Sequence, residues 1–477
     1  MERIQIEEKR LEAALFQFIF PFSLNTECQK DLRKTLLDDG FIFFSLPQRE
    51  HETGFYGEGY QVSHPRLERC FLPFAKAMIF PQQPSPHSFL RFSKRMNLDA
   101  RMSSEHSDWS FRIHAADVLH CPFDIGFITL RVELEMPQTL SSALEFASLF
   151  RRLQSLEEET KPIRLTIDGF ECREVEIFIF QALLPALRGF IDESDLEESV
   201  FEELPYFVDE RMYVQMLLAG AEGETFTDAD LYRAVRVDGF NEQGEPRISA
   251  VNKDYVDRFC RSHAYDRWSP TTSYIIDETC FACLTSENGP RLKQLASHLY
   301  GEYYYGLLIN LFHKIVLLKL SNRYSHVQLE RDPEKIEALI RDITTFSAKN
   351  YFMEATSQSQ GKEMYTRLRD ALSIHTLYED VKRTLTDLFK YQENFSSRRS
   401  EYLLLILTIY TVISGIFGMN LVTDDLEGPV NFNHFKEYSV FQHFALVIMA
   451  SGILIALGLG IHALIRLMAE WRKSRQD

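Results

Sequence analysis

The chain has 477 residues, too many for one hydrophobic core, and its 45% hydrophobic and 25% charged content is that of an ordinary globular protein. A formal net charge of −17 argues against nucleic-acid binding, which needs a basic face, and favours surroundings that collect cations. Seven irregularly spaced cysteines (28, 70, 121, 172, 260, 280, 283) argue against a disulfide framework and for a reducing compartment.

The N-terminus, Met1-Glu2-Arg3-Ile4-Gln5, is charged and lacks the apolar core of a signal peptide, so the body is expected in the cytoplasm. Residues 1–289 read as a mixed α/β domain, with a sub-boundary between 150 and 165. Leu15–Phe20 and Phe41–Leu46 read as strands, and Ile128–Leu134 alternates apolar and polar residues like a half-buried strand. Pro137 opens a helical segment, Ser141–Leu156, and Ile163–Ile167, Tyr213–Leu218 and Ile275–Leu284 read as further strands.

After Pro290 the leucines recur at helical spacing, and residues 290–401 read as a helical stalk region. From Lys362 to Asn420 there is no proline, and the first glycine is Gly415. One helix over that stretch would reach about 88 Å, a length that calls for partner copies.

Residues 402–420 carry no charge over 19 positions, about 28 Å of helix, against a bilayer core of about 30 Å. A second apolar stretch, 441–464, follows a loop, 421–440, that bears Asp424, Asp425, Glu427 and Glu437 against Lys436 alone. The tail, 465–477, is basic. Two membrane helices with both termini in the cytoplasm are therefore expected. Gly452, Ala456 and Gly460 recur every four residues, which suits close packing of the second helix.

The first span ends in Gly415-Ile416-Phe417-Gly418-Met419-Asn420. Gly418-Met419-Asn420 in that place, with two C-terminal spans, a short outer loop, a basic tail and a long helix before the membrane, resembles the CorA family of divalent-cation channels. The resemblance covers about residues 290–477. It implies a homopentamer in the inner (plasma) membrane that passes Mg²⁺, with Co²⁺ or Ni²⁺ as further candidates, inward and passively. Five Asn420 amides would ring the outer mouth and hold the hydrated ion weakly enough to release it. A helix C-cap is the competing role for Asn420.

By the family's pattern, Gly415, Thr411, Thr408, Leu404, Ser400, Ser397 and Asn394, spaced back from Asn420 on one helical stripe, face the channel. The threonines could instead bond their own backbone carbonyls. Asp424, Asp425 and Glu427 would gather cations at the mouth through charge alone. The sequence departs from the family in three ways: the inner boundary holds Ser397 and Ser400 where an apolar constriction is usual, Ile409 stands where a proline is common, and the outer loop lacks the usual Met-Pro-Glu-Leu segment.

Other features carry less. The acidic run containing Asp192, Asp195, Glu198 and Glu202 could hold a regulatory divalent cation, with a solvated helix face as the simpler reading. Cys280-Phe281-Ala282-Cys283 is a single C-x-x-C without a second pair, which fits a structural role better than zinc. No phosphate-binding loop and no nucleophile–base set appears, so neither an enzyme nor a resident cofactor is expected, Mg²⁺ aside as cargo and regulator. Two alternatives stay open: a Zn²⁺ transporter of the same superfamily, ZntB-like, and a CorA-like effector whose cytoplasmic body is gated by a small signalling ligand, as in those that accompany CRISPR systems.

Overall fold

A computed structural model describes residues 4–24, 29–83, 85, 87–153, 162–191, 211–327, 333–418 and 439–441, with scattered positions from 443 to 458. It divides into two compact units, residues 1–385 and 386–477.

The first unit is built on a sheet of twelve strands: β1 (Arg10–Ser23), β2 (Ile42–Phe43), β3 (Leu90–Ser103), β4 (Asp108–Cys121), β5 (Ile125–Leu134), β6 (Gln138–Thr139), β7 (Arg164–Ile167), β8 (Phe170–Cys172), β9 (Tyr213–Gly220), β10 (Ala264–Ser269), β11 (Thr272–Ile276) and β12 (Cys280–Thr285). The order is β10-β11-β12-β9-β1-β5-β4-β3-β7-β8, with β2 on β3 and β6 on β1. All pairings are antiparallel except β12 with β9. The helices Asp228–Arg236 and Lys253–His263 lie in the connection from β9 towards β10. Thr227 and Asp230 form a reciprocal capping box at the start of the first of these.

Strand alternation sorts β1 into two faces. Phe16, Phe18, Phe20 and Phe22 pack into one apolar cluster with Phe146 and Phe150 of the helix Leu140–Phe150 and with Phe178 and Phe180. Leu15, Gln17 and Ile19 point the other way and are equally buried. That second face is covered by Tyr303, Tyr304, Tyr305 and the helix they open, Tyr304–His326. The strand Ile128–Leu134 was expected to be half-buried. Thr129 and Arg131 instead lie under a second helical layer and are fully buried, while Glu133 further along the strand stays partly open.

Other expectations shift in detail. Phe41–Leu46 pairs only at Ile42 and Phe43. Ile275–Leu284 is two antiparallel strands, β11 and β12, turning through Asp277-Glu278-Thr279. Of the expected 290–401 stalk, residues up to Leu385 cluster with the sheet. The helix expected to run unbroken from Lys362 stops at Ala371 and restarts as Ile374–Gly418, because Ser373 adopts a left-handed backbone (φ 56°) that no α-helix continues through. Leu372 and Ile374, on either side of it, are both buried.

Candidate functional site

The helix Ile374–Gly418 is 45 residues long and runs without interruption through Asn394, Ser397 and Ser400 to Gly418. Met419, Asn420, Asp424, Asp425 and Glu427 lie outside the described residues, as do Asp192, Asp195, Glu198 and Glu202. Only the backbone is described at Asn394 and Gly418.

From Tyr402 to Leu407, and again at Ile409, the helix exposes large apolar side chains, Leu404 by 62%. Val440, Phe441, Phe444, Val447 and Leu454 are exposed too. Among the described residues no helix is long and apolar enough to cross a membrane. The side chains of 412–414 and 416–418, which would complete such a stretch, are not described.

Within the second unit, the Tyr410 hydroxyl meets Ser451 Oγ at 2.8 Å, and a Cβ on Gly452 would touch the Tyr410 ring at 3.7 Å. A small residue thus lets the second apolar segment come close to the first. At about 100° per residue, Ser397, Ser400, Leu404, Thr408, Thr411 and Gly415 all sit at least about 80° around the helix from Tyr410. Ser397, Ser400, Leu404, Thr408, Thr411 and Gly415 are exposed.

Thr408 Oγ1 donates to Leu404 O and Thr411 Oγ1 to Leu407 O, each at 2.7 Å. Those bonds use the hydroxyl protons and leave the oxygen lone pairs directed outward. A hydrated divalent cation presents water protons, which need acceptors. The two roles weighed for these threonines are therefore compatible.

On the sheet, β3, β4, β5 and β7 carry an open cavity of about 770 Å³ on the face that holds Asp99, Arg101, Arg112, His114, Glu133 and Glu135. Two pairs form among its charged groups. Arg112 binds Asp99 at 2.6 Å, and His114 Nε2 meets Glu133 Oε2 at 2.6 Å. Gly57, at φ 92°, lets the loop close over His114, where a Cβ would come within 2.9 Å of Nε2. Among the described residues no group of three or more His, Cys, Asp or Glu side chains is placed to hold a metal ion. Cys280 and Cys283 cannot share one. Three apart on a strand, they point to opposite faces: Cys280 joins the apolar cluster and Cys283 lies against Tyr274.

Sequence reading missed the ionic cluster beneath Tyr304–His326. Asp117 accepts from Arg131 at 2.6 Å, Arg91 at 3.2 Å and Ser93 Oγ at 2.7 Å. Arg131 also reaches Gln17, which bonds Gln215 at 2.6 Å, and Arg91 bonds the Tyr305 hydroxyl. Burial alone would raise the Asp117 pKa, but Arg131 and Arg91 outweigh it and hold the carboxyl below its usual range. Two guanidiniums share one carboxylate, and the excess positive charge rests against the Tyr56 and Tyr304 rings, 5.1 and 5.3 Å from Arg131.

No family model matches the chain, and no curated protein matches it. Among solved structures it is similar to the CorA magnesium transporter from Methanocaldococcus jannaschii, at 15% identity, over 54% of this chain and 92% of that one, with a TM-score of 0.16. A superposition that loose says nothing about how this chain works.

Proposed function

We propose that this chain is a passive channel for divalent cations, built as a CorA-like homopentamer with residues 402–420 lining the pore and 441–464 packed outside them. The observation that carries this reading is the Gly418-Met419-Asn420 sequence following a helix, Ile374–Gly418, that exposes large apolar side chains from Tyr402 to Leu407 and at Ile409. A helix apolar all round needs lipid or neighbouring copies to cover it.

In this arrangement the stripe opposite Tyr410 faces the axis, and Thr408 and Thr411 accept from the water shell of the passing ion. Asn420 amides hold that shell at the outer mouth. Two charges falling through 100 mV gain roughly 4.6 kcal/mol, so inward Mg²⁺ movement needs no further energy source. Both termini lie in the cytoplasm of a cell bounded by the inner membrane, with the acidic loop outside.

The test is uptake into proteoliposomes. Mg²⁺ flux through the wild-type chain should vanish in Asn420→Ala, while native mass still gives five copies. Unchanged Mg²⁺ flux in that variant removes the selecting ring. Zn²⁺ carried in preference to Mg²⁺ would favour the zinc-transporting alternative.

A further inference from the structure

Arg131 and Glu133, two residues apart on β5, share one face of the sheet. Arg131 is sealed beneath the helix Tyr304–His326, whereas Glu133 opens onto the cavity of about 770 Å³ carried by β3, β4, β5 and β7.

Strand register sets the polar groups of this cavity in a row. Thr166 of β7 pairs with Arg101 of β3, and Arg101 pairs with Ser110 of β4. Glu135, just past β5, continues the row, its N donating to Ser110 O at 3.0 Å. Residues directly opposite one another share a face. Neighbouring strands lie about 4.8 Å apart, so the backbones at Arg101 and Glu135 stand about 10 Å apart with Ser110 between them. The two-residue turn Asp168-Gly169, left-handed at φ 46° and 84°, joins β7 to β8 at the rim. His114, only 4% exposed and tied to Glu133 at 2.6 Å, is a fixed part of the wall.

The charges in the lining divide into committed and uncommitted groups. Asp99 is held by Arg112, and Glu133 by His114. The side chains of Arg101, Glu58, Glu135 and Asp168 are exposed and form no hydrogen bond or ion pair among the described residues. One guanidinium and three carboxylates are thus left to find partners in solution. A polyanion would meet those carboxylates, and a simple polyamine would meet Arg101 between Asp168 and Glu135. A molecule carrying one carboxylate and two amines satisfies both signs.

We propose that this cavity binds a small zwitterion of net positive charge, of the class formed by basic amino acids and basic dipeptides. The Arg101 fork takes the ligand's carboxylate through paired N–H···O bonds. Glu135 and Asp168, on either side of it, take the two amines. The volume lies in the range of small-molecule sites and leaves room beyond a single amino acid, which favours the dipeptide. This assignment does not depend on whether the second unit conducts ions.

The test is calorimetric titration of the full-length chain in detergent with lysine and lysyl-lysine. Cadaverine, which keeps two amines without a carboxylate, and norleucine, which lacks the second amine, are the controls. Lysyl-lysine should bind more tightly than lysine, and both should weaken as salt rises. Cadaverine and norleucine should each bind at least about tenfold more weakly than lysine. Arg101→Gln should weaken lysyl-lysine by about tenfold or more without weakening cadaverine, and Glu135→Gln should weaken both. Neither substitution removes a side-chain bond within the chain, so the unfolding temperature should hold and lost binding is not lost fold. Absence of lysyl-lysine binding overturns the proposal and leaves a hydrated sheet face. Cadaverine binding as tight as that of lysine overturns it in favour of a plain amine site, and lysyl-lysine binding indifferent to Arg101→Gln overturns it as well.

Discussion

Asp117 balances two buried arginines, and its loss strands both. Asp117→Asn should cost about 3–5 kcal/mol, the usual penalty for breaking a buried ionic cluster from one side, read as a large fall in thermal midpoint by circular dichroism. Because the folded-state pKa is depressed, this stabilisation is complete above the unfolded value near 4 and disappears as pH falls through the folded one. Two histidines act at milder acidity. Burial, reinforced by Arg66, lowers the His298 pKa to about 3, and burial lowers that of His313 to about 3 as well. Neighbouring Glu302 does not rescue the His298 imidazolium, since its carboxylate is taken by Arg66 at 3.1 Å and Gln360 at 3.0 Å. Both rings must stay neutral in the folded state, so stability is full above about pH 6.5 and falls below it, by up to about 1.4 kcal/mol per pH unit for each ring. Melting at pH 7.5 and 5.5 should show the drop, and His298→Gln should reduce it. None of this was legible from the sequence. Arg131 sits in an alternating strand whose polar face reads as wet, and only the helix folded over that face, 170 residues further on, reverses the reading.

At the scale of elements, what could be read depended on how each one was covered. β1, β5, β7 and β9 announce themselves because apolar residues dominate at least one face. β3 and β4 do not, since Lys94, Arg95, Asp99, Arg101 and Arg112 interrupt their patterns, and these 14-residue strands are the ones that build the open cavity. The single long helix from Lys362 was over-read because neither proline nor glycine marks the break. The turn falls on Ser373, which holds a positive φ while Leu372 and Ile374 are drawn into the core on either side. Burial of two flanking residues outweighs local helical preference there. Ser373→Gly should relieve the left-handed strain and raise stability by about 1 kcal/mol, whereas Ser373→Val should lower it, as measured by the unfolding midpoint.

For the whole molecule, the reading as a channel came from residues at the C-terminal end, and the sheet-bearing unit contributed nothing recognisable to it. That asymmetry has a physical source. A bilayer imposes a uniform demand on any helix that crosses it, so 19 uncharged residues are informative by themselves. An α/β body of this kind is under no such constraint and meets its packing requirements in ways a single sequence does not disclose. In the proposed channel the acidic loop belongs to this scale as well, because it would act through a field summed over copies. Asp424→Asn with Asp425→Asn should slow Mg²⁺ uptake several-fold at low ionic strength and little near 1 M salt, where screening reaches about 3 Å. A loss independent of salt would mean direct coordination instead.

The cysteines offer a practical return. All six described thiols, Cys70, Cys121, Cys172, Cys260, Cys280 and Cys283, are free and buried, and burial raises the pKa of each, that of Cys70, Cys260 and Cys283 to about 12. Thiolate is the form that maleimides and methanethiosulfonates attack, so the native background is nearly silent to them at neutral pH. With Cys28 replaced by serine, a lone cysteine introduced in turn at positions 397, 400, 404, 408 and 411 would report which side of the rod water-borne reagents reach, without first having to strip the body of its own sulfur.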